Sequence, residues 1–197
     1  MTKLIKANDP EPLKPGRRSF LTDAGGATLS AGAIMLLAGG SLSGLPREAR
    51  AGSAKQDASI LNSALGAEQE AVAAYQVGAE SGLLEKSVLD LAVQFQGHHK
   101  AHADLLAATV EKLGGKPVSA KARYDFPLDK LKSQADVLRF AAQLEKGAVS
   151  AYLGAVPILD NRELAKAAAS ILGDEAMHWA VLRFALGENP VPDAFVS

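Results

Sequence analysis

Three glutamates and three histidines stand where helix faces would otherwise be apolar: Glu68, His99 and His102 in the first half of the chain, and Glu145, Glu175 and His178 in the second. On a helix, side chains three or four residues apart share a face and those seven apart nearly eclipse. His99 therefore projects with His102, and Glu175 with His178. Glu68 shares a stripe with Tyr75, and Glu145 with Tyr152, and alanine and valine fill the rest of each stripe. An ionised carboxylate buried without a partner costs several kcal/mol, so these groups need one another or a cation. Carboxylate and imidazole are natural ligands of divalent transition metals. The chain has no cysteine, which excludes a thiolate site and a disulfide framework.

The six positions belong to a duplicated unit. Glu68 opens E-x-x-A-V-x-A-Y, ending at Tyr75, and Glu145 opens the same phrase, ending at Tyr152. Further along each half, a glycine precedes a histidine by five residues, as Gly97 to His102 and as Gly173 to His178. A two-helix element occurring twice must place one copy of these side chains against the other.

The periodicity predicts the elements that do this. The first helix is expected to be capped by Asp57 after a short linker (52–56), to carry Ile60, Leu61, Leu65, Val72 and Tyr75, and to stop at Ser81-Gly82. The second carries Leu91, Phe95, His99, His102, Leu106 and Val110 and ends at Gly114-Gly115. Residues 115–132 lack a sustained period and suit a crossover along a bundle. Ser133 with Asp136 resembles a capping box for the third helix, which Pro157 ends or kinks. Asp160 with Glu163 is expected to start the fourth, running through Leu164, Ile171, Glu175, His178, Leu182 and Phe184 to Gly187. The fold class is all-α: two antiparallel helical hairpins joined by one long crossover, the ferritin-like connectivity.

On these residues the chain resembles the ferritin-like di-iron carboxylate proteins, rubrerythrins and bacterioferritins among them, over about residues 57–187. The resemblance implies that Glu68 and Glu145 are terminal ligands, that Glu175 and His178 form one E-x-x-H pair, and that His102 is the histidine of the other. His99 departs from the pattern, because the family has a bridging glutamate there. The site would keep one bridging carboxylate, Glu175. The resemblance implies one or two ions of iron or manganese, and O2 or peroxide as reactants of a catalytic version. Tyr75 and Tyr152 read as core aromatics donating hydrogen bonds. His98, about 100° round the helix from His99, is expected to face solvent, and Glu70 and Lys146 are expected to be solvated. Trp179 fits either a lid over the site or a contact in a homodimer.

Residues 1–51 read as a targeting segment. Arg17-Arg18-Ser19-Phe20-Leu21 leads into an uncharged stretch from Ala24 to Leu45, and Ala49-Arg50-Ala51 is an A-x-A exit. The arginine pair resembles the twin-arginine export signal. The expected organisation is a signal peptide over 1–51, a bundle over 52–187 and an extended tail over 188–197. Periplasmic or secreted protein with no membrane span after cleavage is expected, an uncleaved anchor being the alternative. The net charge of −1 gives no basic surface for nucleic acid. The function these features favour is exported binding of a divalent metal, connected with stress. A metal-dependent oxidase or peroxidase is the alternative, and a metal-free protective bundle the second alternative.

Overall fold

The computed structural model describes residues 47–196, with side chains from Ser53 onward. Most of the expected signal segment, residues 1–46, lies outside the described residues. Four long helices follow in order: α1 (Arg47–Glu80), α2 (Lys86–Lys112), α3 (Gln134–Ala155) and α4 (Arg162–Ala185). There is no strand among the described residues. The helix α1 packs along α2, α3 packs along α4, and α1 faces α3 across the middle. This is the ferritin-like four-helix bundle.

The helix ends follow local chemistry, with two corrections. Gly82, Gly114 and Gly187 take positive φ just beyond α1, α2 and α4, where a side chain would be strained. Ser133 caps α3, its Oγ accepting from the Asp136 amide at 3.2 Å. Pro157 lies in a 3-10 turn, Val156–Ile158, that closes α3. At α4, however, Asn161 is the cap rather than Asp160, its Oδ1 accepting from Glu163 N at 2.9 Å and Leu164 N at 3.4 Å. Asp57 does not start α1 either. That helix already begins at Arg47, running through the positions read as a linker, because this alanine-rich stretch offers no strong breaker. Asp57 is instead buried inside it, and its carboxylate accepts from Asp160 N at 2.9 Å and Asn161 N at 3.1 Å. It satisfies amides at the head of α4 and ties the two hairpins together.

The crossover is held against α1. Asn62 Nδ2 donates to Lys116 O at 2.8 Å, its Oδ1 accepts from Val118 N at 2.8 Å, and Gln69 donates to Val118 O at 3.0 Å. Two apolar clusters fill the bundle. One contains Leu61, Leu65, Leu106, Val110, Tyr152, Ala168 and Ile171. The other contains Tyr75, Phe95, Leu138, Ala141, Ala142 and Leu182. On every helix the glutamates and histidines fall between residues of the first cluster and residues of the second. The antiparallel connectivity stacks those intervals into one polar layer. Phe184 is mostly exposed, since its position turns it away from the stripe defined by Glu175, His178 and Leu182.

Candidate metal centre

All six residues singled out by spacing converge in that layer. Glu68, His99, Glu145, Glu175 and His178 are buried, and His102 nearly so. Helix α1 supplies Glu68, α2 supplies His99 and His102, α3 supplies Glu145, and α4 supplies Glu175 and His178. They form two overlapping groups: Glu68, His99, His102 and Glu175, and His99, Glu145, Glu175 and His178. Within each group one ligand atom per residue lies within 4.8 Å of every other, so one ion could gather all four with small adjustments.

Glu175 and His99 belong to both groups, and they differ in kind. Both oxygens of Glu175 are buried without a hydrogen-bond partner, which is the arrangement of a carboxylate able to serve two neighbours. His99 lies between the halves with one nitrogen turned to each. Its Nδ1 is 2.8 Å from Glu68 Oε2, and its Nε2 is 3.3 Å from Glu145 Oε1. The ring thus spans the position at which the family has a bridging carboxylate, but it offers each half a single atom on opposite edges.

The tyrosines cross over. Tyr75 of α1 donates its O–H to Glu145 Oε1 of α3, and Tyr152 of α3 donates to Glu68 Oε1 of α1 at 2.5 Å. Each of these two glutamates is therefore oriented by the tyrosine of the other half. Burial and the adjoining carboxylates, Glu145 for Tyr75 and Glu68 for Tyr152, hold both phenols protonated well above their ordinary range.

Charge balance in the layer comes from the imidazoles. Burial by itself would depress their pKa values, but the carboxylates outweigh it. His99 is pushed up to about 10 by Glu145 and Glu68. His102 reaches about 9 through Glu175 and Glu68, and His178 about 9 through Glu145 and Glu175. Burial likewise opposes ionisation of Glu68 and Glu145. The histidines reverse it, so Glu68 is lowered beside His102 and His99, and Glu145 is lowered strongly beside His178 and His99. A cation in this layer would compete with protons for the same atoms.

Two further residues adjoin the site. His98 does not face away: its Nδ1 is 2.8 Å from His178 Nε2 and 3.2 Å from Asp174 Oδ2. Asp174 Oδ2 also lies 3.3 Å from His178 Nε2 and 3.4 Å from His102 Nε2. The ideal helical angle sends His98 off the core stripe, but α4 packs close enough to meet it at the rim. The only trace of this in the sequence is that His98 and Asp174 each precede a core-facing partner, His99 and Glu175. Trp179 is partly buried against the second apolar cluster, with the Lys146 Nζ 5.8 Å and the Arg183 guanidinium 5.5 Å from its ring. Lys146 is exposed, as expected, with its ammonium within cation–π distance of the Trp179 ring.

A bundle of two hairpins with carboxylates and imidazoles from all four helices defines a class, and the comparisons agree with it. The ferritin-like domain family matches residues 56–188, and the chain belongs to that family. Among solved structures, a conserved hypothetical protein, Rv2844, from Mycobacterium tuberculosis is 25% identical with a TM-score of 0.63. The alignment covers 74% of this chain and 99% of that one. A structure described as ferritin-like, diiron-carboxylate proteins from Bacillus anthracis str. Ames is 21% identical with a TM-score of 0.60, covering 68% of this chain and 97% of that one. At that identity the likeness establishes the fold. No curated protein matches the chain.

Proposed function

We propose that this chain is an exported ferritin-like protein that binds one or two divalent transition metal ions, iron or manganese, through Glu68, His99, His102, Glu145, Glu175 and His178. One observation carries the reading. His102 Nδ1, Glu145 Oε2, both oxygens of Glu175 and His178 Nδ1 are buried with no hydrogen-bond partner. Buried polar atoms are nearly always satisfied, and each orphan costs about 1–3 kcal/mol. Such a concentration of them, on carboxylate oxygens and on imidazole nitrogens that gain a lone pair when a cation displaces their protons, fits a divalent ion and the Glu/His donor set suited to it. The diiron-carboxylate description of the B. anthracis structure supports the same reading.

A redox-active ion held there would supply electrons to O2 or peroxide. The oxidase or peroxidase reading is favoured by Glu175, whose two oxygens face both half-sites. His99 weighs against high activity, because an imidazole does not replace the second carboxylate bridge. Elemental analysis of protein purified from its native compartment tests metal binding directly. Protein devoid of iron and manganese that also takes up neither on titration would leave the metal-free protective bundle.

A further inference from the structure

Five of the six residues are buried and His102 is nearly so, yet an ion has to reach the centre. The degree of exposure marks a graded route on one side. The His98 side chain is 38% exposed, Asp174 24%, His102 14% and His178 2%. Glu175, at the end of the series, is fully buried. Along this route the donor atoms are continuous. His98 Nδ1, Asp174 Oδ2 and His178 Nε2 together could hold a cation, each lying within 4.8 Å of the others. His178 belongs to both places: Nε2 faces the rim, while Nδ1 lies 3.5 Å from Glu145 Oε1 and 3.8 Å from Glu175 Oε2. His102 repeats the arrangement, with Nε2 3.4 Å from Asp174 Oδ2 and Nδ1 3.1 Å from Glu175 Oε1. The ring of Phe95, stacked on His178 with centroids 4.0 Å apart, fixes the plane in which the two nitrogens point.

We propose that His98, Asp174 and the outward nitrogen of His178 form a second, outer site that captures a divalent transition metal and passes it to the buried centre. The proposal rests on the metal-binding reading above. Imidazole and carboxylate at the mouth select the same class of ion as the interior does. Neutral imidazole has one free lone pair, so an ion on His178 Nε2 and an ion on His178 Nδ1 exclude each other. The outer site therefore empties as the inner one fills. It sets the speed of loading and adds nothing to the ions held at saturation. Among the described residues, the group of His98, Asp174 and His178 is the one potential metal-holding set with two part-exposed members.

The test is the rate of Co2+ uptake by the full folded protein, followed by the cobalt ligand-field absorption in a stopped-flow instrument. His98→Ala should load at least tenfold more slowly than wild type and reach the same number of ions. His98→Glu, which restores a ligand atom, should recover much of the rate. In a Glu145→Gln/Glu175→Gln variant, with the inner carboxylates neutralised, Zn2+ should be trapped at the rim. Anomalous scattering should then place it between His98, Asp174 and His178. Equal loading rates in wild type and His98→Ala would overturn the proposal while leaving metal binding intact. Zinc elsewhere in the double variant, or none, would overturn it too. Wild type that takes up no cobalt at all would remove the metal-binding reading along with it.

Discussion

At the scale of single residues, Glu175 and His99 are the two that both half-sites share, and they predict different outcomes. Titration of wild type with Fe2+ or Mn2+ should show a tighter event and a weaker one. The tighter belongs to Glu145, Glu175 and His178, and the weaker to the half that relies on Glu68, His99 and His102. Glu175→Ala should disturb both, since both of its oxygens face the centre. A variant binding as well as wild type would mean that the cluster is structural. His99→Glu should raise reactivity towards O2 or peroxide, because a carboxylate can join two cations where the His99 ring presents one nitrogen to Glu68 and the other to Glu145. Stopped-flow absorbance of Fe2+-loaded protein mixed with O2 measures this. Fast oxidation by wild type that disappears in His99→Ala would make the oxidase the better reading.

At the scale of elements, the joints between hairpins matter more than the helices themselves. Asp57 is buried in α1 and accepts from two amides preceding α4, although the chain between them exceeds a hundred residues. Asp57→Ala leaves both amides without a partner and should cost about 1–3 kcal/mol. Ser133→Ala removes an exposed cap of α3 and should cost about 1 kcal/mol. Urea unfolding of the two variants compares them. If the Asp57 variant proved no weaker than the Ser133 one, the link between hairpins would contribute little.

For the whole molecule, the polar layer makes stability depend on pH and on metal. In chelator-treated protein, His99, His102 and His178 have folded pKa values of about 10, 9 and 9, above the ordinary 6.5. Their contribution is full below pH 6.5 and is lost as pH rises through 9–10. Glu68 and Glu145 are lowered from 4.5, so theirs is full above pH 4.5 and is lost as pH falls. Greatest stability is expected between about pH 4.5 and 6.5. Added metal, which takes the imidazoles neutral and releases their protons, should restore the alkaline side. Thermal melts across pH with and without Mn2+ check both limbs. A flat alkaline limb without metal would contradict the protonated histidines. The proposed export belongs to this scale too: replacing Arg17 and Arg18 by lysine should retain the chain in the cytoplasm, because the fork of a guanidinium is not reproduced by an amine. Normal periplasmic or secreted levels would remove the twin-arginine reading.

By itself the sequence determined the helices, their pairing and the inward set of six, because a period of 3.6 and a repeated phrase are local properties of the chain. The repeat also implied two matching groups of side chains, and the resemblance at His99 implied that they differ. Only the tertiary structure decided which atoms face which. That Tyr75 serves Glu145 rather than its own Glu68 depends on how α1 lies across α3. The same holds for Asp57, whose position in sequence reads as a cap, while its partners come from the opposite hairpin. His98 meets Asp174 and His178 for the same reason: the helical angle says where a side chain leaves its own helix, not what another helix brings to meet it. At the rim α4 brings Asp174 and His178 within 3.2 Å and 2.8 Å of its ring, and that proximity exists only once the two hairpins have packed.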